Sequence, residues 1–234
     1  MIDIVRKSLN ECSDPNIAAG SSRFFKKGEA ANVYGVKSSD VRRIGKIALK
    51  EVKDLSKRDV FNICEQLWKS AYLEEAVIAC MLAESLEKQY LPEDFKIFEH
   101  WVHNYLTNWA DCDTFCNHTV GNFVMMYPQF ISELKKWAKS DRRFVKRAAA
   151  VTLIIPARKG LFLQDIFEIA NTLLLDADDL VQKGYGWMLK AASESHQKEV
   201  FEYVMSKKEI MPRTSLRYAI EKMPADLKSQ AMKR

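Results

Sequence analysis

The chain has 234 residues, 47% apolar and 29% charged, with a net charge of +5. Glycine and proline together supply only fourteen residues, about half the usual share of ~12%. That scarcity excludes a collagen-like chain, long disorder and a turn-rich β-sandwich, and it favours helices with short links around a sizeable core.

Helical periodicity runs through the chain. Ile2–Cys12 sets Ile2, Val5 and Leu9 on one face between charges. Arg23–Lys37, with Gly28, Asn32 and Gly35, is expected to be irregular. Ser38-Ser39-Asp40 predicts a cap for a helix over Val41–Leu49, and Ser56 caps one over Asp59–Trp68. Glu74–Leu86 places Val77, Met81 and Leu82 on one face. Pro92 opens a helix to Tyr105, at the first-turn position that tolerates proline. Trp109–Met126 and Pro128–Lys139 follow, and Ser140-Asp141 predicts the cap of Arg142–Ile155. Leu161–Leu173, Asp178–Ala192, Gln197–Met205, Thr214–Met223 and Ala225–Met232 complete the series.

About a dozen helices with short links form antiparallel pairs. Strung along one chain, they predict a single all-α domain over 1–234, a HEAT-like α-solenoid with a repeat near ~40 residues. The argument is spacing rather than self-similarity, and an irregular α-bundle is the competing architecture.

The longest mostly apolar run, Ala148–Ala157, is half the ~20 residues that cross a bilayer. The charged start MIDIVRKSLNECSD has no secretory signal pattern. Five cysteines, an odd number in a long chain, fit a reducing cytosol rather than a disulfide framework. A cytoplasmic protein without a membrane partner is expected.

Three constellations carry possible chemistry. In Trp109-Ala-Asp-Cys-Asp113, Asp111 and Asp113 do not share a helix face, so one caps the helix start while the other projects from its first turns. Trp109 and Asp113, one turn apart, put an indole and a carboxylate on one face, which suits a planar cationic ligand. The competing reading is a core aromatic and two helix-start acids. From Lys139 to Lys159, seven cations (Lys139, Arg142, Arg143, Lys146, Arg147, Arg158, Lys159) meet one acid, Asp141. Arg143, Lys146 and Arg147 offer a three-point phosphate contact; otherwise the run is a solvated face. In Gln182-Lys183-Gly184-Tyr185-Gly186-Trp187, two glycines sit inside a helical pattern. Each costs about 1 kcal/mol relative to alanine, and is tolerated where a helix or ligand closely approaches the backbone. Trp187 is then either core or a second wall for a planar ligand.

His100-x-x-His103 and Cys112-x-x-x-Cys116-x-His118 are ligand types for a metal, but they fall inside helical patterns rather than the turn-framed pairs of structural zinc. No metal and no cofactor are expected. There is no Gly-rich phosphate loop, GxSxG elbow or HExxH motif.

Four stretches have the order and spacing of one family: NWADCD at 108–113, RFVKRAAAV at 143–151, VQKGYGWMLK at 181–190 and PRTSLRYAIEKM at 212–223. A weaker fifth is RFFKKGEAANVYGVKSSDVRRI at 23–44. Over nearly its whole length the chain resembles the AlkD-like DNA alkylation repair family, which are HEAT-like-repeat DNA glycosylases. The resemblance implies a curved solenoid with a concave basic groove. It places the catalytic aspartate on Asp113, the lesion-contacting tryptophans on Trp109 and Trp187, and the groove arginine on Arg147. Arg142, Arg143, Lys146, Lys183 and Phe24 complete the implied DNA-binding set. The sequence departs from the family at Ala110, where an aspartate is common, and at Leu189-Lys190-Ala191, where Leu-Arg-Glu is usual. An aromatic position that some members fill with tyrosine falls on Phe24 or Phe25.

The implied activity is hydrolysis of the N-glycosidic bond of cationic N3- or N7-alkylated purines in duplex DNA by a monomer. The base already carries its charge, so the protein's task is to stabilise the sugar's oxocarbenium cation and position water, which a carboxylate does. A non-catalytic DNA-binding scaffold and a protein-interaction solenoid are the alternatives.

Overall fold

The computed structural model describes residues 1–25, 29 and 32–233; Gly28 lies outside them. Among the described residues the chain is all-α, and the one extended pairing is an isolated bridge between Asn32 and Tyr72. The chain divides into two compact units, Met1–Phe115 and Cys116–Arg234.

The first unit holds α1 (Ile2–Glu11), α2 (Pro15–Ser21), α3 (Ser38–Glu51), α4 (Lys57–Lys69), α5 (Leu73–Ser85), α6 (Phe95–Asn104) and α7 (Trp109–Thr114). Ser56 caps α4 as expected, its side chain accepting from the Asp59 N–H. α3 starts three residues earlier than its serines suggest, with Lys37 at the N-cap and no side-chain cap. The reason lies upstream. The Glu74 carboxylate accepts from the N–H groups of Tyr34, Gly35 and Val36 at 3.0, 2.9 and 3.2 Å, and so aims the chain directly into the helix. Gly35 has φ +80°, and a Cβ there would stand 2.4 Å from the Asp14 carbonyl oxygen.

α5 is not the one-faced helix its pattern suggests. Glu74, Glu75, Ala76, Ile78, Ala79, Cys80, Leu82 and Ala83 are all buried, because α5 packs against α1, α3, α4 and α7. Its acids are satisfied there. Glu75 receives the Arg6 guanidinium through Nε and Nη2, each at 3.1 Å, and the Tyr34 hydroxyl at 2.7 Å. An aromatic cluster closes the unit: Phe61, Trp68, Phe98, Trp101 and Phe115 pack mostly edge to face at 5.6–5.8 Å. Such pairs contribute roughly 0.5–1.5 kcal/mol each beyond area burial. Phe115 directly follows α7 and anchors its end.

The second unit holds α8 (Gly121–Met126), α9 (Ile131–Trp137), α10 (Arg143–Val151), α11 (Ile154–Arg158), α12 (Leu163–Leu173), α13 (Asp179–Ala192), α14 (Gln197–Lys207), α15 (Arg213–Ala219) and α16 (Ala225–Met232). α13 is its centre, packing on α10, α11, α12, α14 and α15. The single helix expected over Arg142–Ile155 is two. Pro156 has no N–H to give the Thr152 carbonyl, so α10 ends at Val151 and a short helix restarts. The N-cap of α10 is Arg142; Ser140 instead accepts from the Arg142 N–H at 3.1 Å in a turn before it.

Candidate functional site

Asn108, not an aspartate, caps α7. Its Oδ1 accepts from the Asp111 N–H at 2.9 Å, and its Nδ2 donates back to the Asp111 carboxylate. Asp111 turns inward and is buried, and its Oδ1 has no hydrogen-bond partner among the described residues. Burial pushes its carboxyl up to about 7, against the opposing pull of the Asn108 hydrogen bond.

With Asp111 committed inward, Trp109 and Asp113 remain at the half-exposed surface, one turn apart on α7. The Trp109 Nε1–H donates to the Phe24 carbonyl at 3.0 Å, and the Phe25 ring lies 6.1 Å away, tilted 36°. Phe24 is 71% exposed. The helix does not continue as regular α: Phe115–Val120 is a π-helical turn, a rare distortion often found at functional sites.

The five tryptophans divide sharply. Trp68, Trp101 and Trp137 are core residues, whereas Trp109 and Trp187 keep part of their surface in solvent. A half-exposed indole gives up hydrophobic stabilisation that its buried counterparts collect.

In the second unit the two α13 glycines have separate reasons. A Cβ on Gly184 would meet Arg147 Cγ at 3.3 Å; one on Gly186 would stand 2.7 Å from Tyr218 Cβ and 2.9 Å from the Ser215 carbonyl oxygen. Gly184 therefore seats Arg147 from α10, and Gly186 admits α15. Arg147 is only 5% exposed and donates through Nη1 to the Leu180 carbonyl. Along α13, Leu180, which receives Arg147, lies one turn before Gly184, and Trp187 lies about one turn after it.

The three-point cationic cluster is already engaged. Arg143 donates through Nε to Asp178 Oδ2 at 2.7 Å, and Lys146 is ion-paired with Asp176. Asp178 also caps α13, accepting from the Leu180 N–H at 2.9 Å. A phosphate reaching Arg143 or Lys146 thus displaces an aspartate. Lys183 pairs with Asp179 at 3.3 Å, while Arg142 is exposed. At the Leu189-Lys190-Ala191 departure, Lys190 pairs with Glu221 at 2.9 Å and lies 5.6 Å over the Tyr218 ring.

His100 faces no metal set. Its Nε2 lies 3.3 Å from Glu65, which also accepts from the Trp101 indole and the Tyr105 hydroxyl. Burial pushes the Glu65 carboxyl up, but hydrogen bonds from Tyr105, Trp101 and Lys69 outweigh it and hold the group below its ordinary range. Burial and this carboxylate push Tyr105 up to about 12. Among the described residues, no three His, Cys, Asp or Glu side chains come together as metal ligands, and no helix is long and apolar enough to cross a membrane.

A family model described as DNA alkylation repair enzyme matches residues 5–223. The chain belongs to the DNA alkylation repair enzyme family. Its fold is also that of a solved structure described as a predicted DNA alkylation repair enzyme from Enterococcus faecalis, with a TM-score of 0.80 at 17% identity, covering 91% of this chain and 97% of that one. No curated protein matches the sequence. The all-α architecture is shared with that structure.

Proposed function

We propose that the protein is a DNA glycosylase that releases cationic N3- or N7-alkylated purines from duplex DNA. The observation that carries the reading is the pairing of a half-exposed indole and carboxylate one turn apart, Trp109 and Asp113, in a chain where Trp68, Trp101 and Trp137 are buried in the core. The electron-rich face of Trp109, with the exposed Phe24 beside it, suits a planar base that carries positive charge, and Trp187 is the second tryptophan that the family resemblance assigns to the lesion.

In the proposed reaction the C1′–N bond breaks and its electron pair leaves with the purine, which becomes neutral. The sugar is left as an oxocarbenium cation, which the Asp113 carboxylate stabilises electrostatically. Water adds to C1′, and its proton passes to Asp113 or to solvent. No protonation of the base is needed. Arg147, buried on the Leu180 carbonyl, positions the α10–α13 seam beneath the phosphate-contacting face. Arg142 reaches the phosphates directly, while Arg143, Lys146 and Lys183 exchange their aspartates for phosphate on binding. The protein acts in this reading as a monomer in the cytoplasm, without metal or cofactor.

The test is direct. Purified protein is incubated with duplex DNA carrying N7-methylguanine and N3-methyladenine, and free base is followed by chromatography. Release of methylated purine supports the reading. Salt-dependent DNA binding without release favours a non-catalytic scaffold; neither binding nor release points to a protein-interaction solenoid.

A further inference from the structure

α3 carries a basic face that the site above does not use. Arg42, Lys46 and Lys50 recur every four residues on its exposed side and, with Ser39, Arg43 and Ile47, line a shallow cavity of about 470 Å³. The other side of α3 is fixed in the core: Val41, Ile44, Gly45 and Ala48 are buried, and Met81 Sδ sits 2.5 Å from where a Cβ on Gly45 would stand. The basic face therefore cannot roll inward. Arg43 is shared with Asp40 at 3.0 Å, but Arg42, Lys46 and Lys50 form no ion pair among the described residues.

At a rise of 1.5 Å per residue, these three cations stand about 6 Å apart along about 12 Å of helix. One DNA strand presents a phosphate every ~3.4 Å of axis, so the row spans about three to four phosphates. Like charges held this close repel one another, and a polyanion relieves that repulsion. α5 packs on both α3 and α7. At roughly 8–10 Å per helix contact, α3 is at most about 16–20 Å from α7, or no more than some five to six base pairs of duplex.

We propose that the α3 face is a second backbone clamp, gripping the phosphates of duplex DNA some base pairs away from the base held at Trp109 and Asp113. The choice of duplex as the ligand rests on the DNA repair reading above. The clamp holds DNA in register but touches no reacting atom.

The experiment measures affinity for an undamaged 20-base-pair duplex as a function of salt. It compares the parent, the triple variant Arg42→Gln/Lys46→Gln/Lys50→Gln, and a charge-matched control, Lys88→Gln/Lys198→Gln/Lys222→Gln, on exposed lysines elsewhere. Neutralising three phosphates contributes about 2.7 to the log–log salt slope. The α3 triple variant is expected to lose about that much slope and on the order of 10²-fold in affinity at 100 mM salt. The control is expected to lose less than one unit of slope. In single-turnover excision at saturating protein, the α3 variant is expected to match the parent. Equal slopes for the α3 variant and the control, with the parent still binding, overturn the clamp and leave the glycosylase reading intact. A parent with no salt-dependent DNA binding overturns both. A loss confined to single-stranded RNA or anionic vesicles overturns the choice of duplex DNA.

Discussion

At the scale of single residues, Asp111 is the most consequential side chain that the sequence did not single out for its burial. An unfolded aspartate titrates near ~3.9, whereas burial holds Asp111 near 7. The folded state binds this proton more tightly, so the stability it confers is complete below pH ~4, drains away as the pH rises toward 7, and levels off above. Asp111→Asn keeps the shape and removes the titration. Urea unfolding of the variant and the parent is expected to diverge progressively from pH 4 to pH 7, with the variant the more stable at pH 8 by up to about 4 kcal/mol. A variant–parent difference that stays constant across that window contradicts the burial. Arg147 gives a second residue-scale test. Its guanidinium is buried on the Leu180 carbonyl, so Arg147→Ala is expected to lower stability by about 1–3 kcal/mol, besides weakening DNA binding. A urea midpoint unchanged from the parent would show that the contact contributes nothing.

At the scale of elements, the two glycines of α13 are expected to behave differently. Gly186→Ala drives a methyl into the Ser215 carbonyl oxygen and Tyr218 of α15 at 2.9 and 2.7 Å, so α15 must shift; destabilisation by about 2 kcal/mol or more is expected. Gly184→Ala meets only the flexible stem of Arg147 at 3.3 Å and gains helix propensity, so its thermal midpoint is expected to stay near the parent's. Equal losses in the two variants would contradict this assignment. The glycines were legible in the sequence as sites of close approach, because a helical glycine carries a local cost that something must offset. The Ser56 cap and the Asp178 start of α13 were legible for the same reason, since capping acts over three residues. The Asn108 cap had a readable signal, Asn followed three residues later by Asp, in the stretch where the aspartates drew attention instead. By contrast, Arg143–Asp178 and Arg6–Glu75 join residues 35 and 69 apart, and no local pattern records such a pairing. Hence the basic run at 139–159 reads as more strongly cationic than the folded surface, and the burial of Glu74 and Glu75 has no local signal.

At the scale of the whole molecule, helical periodicity and scarce glycine and proline specify an all-α chain. Four ordered motifs specify its family. What periodicity alone could not separate is core tryptophan from surface tryptophan, because an indole at helical spacing looks the same in both settings. Exposure makes the distinction, leaving Trp109 and Trp187 outside the core and Asp113 beside the first of them. The measurement that tests the account most directly is single-turnover base release from N7-methylguanine duplex DNA by the parent and by Asp113→Asn at saturating protein, with affinity for undamaged duplex measured in parallel. The role proposed for the carboxylate, stabilising the oxocarbenium ion, predicts that the variant loses at least ~10²-fold in rate while binding undamaged DNA as well as the parent or slightly better. A variant that releases methylguanine at the parent rate would contradict the assignment of Asp113 and, with it, the proposed chemistry.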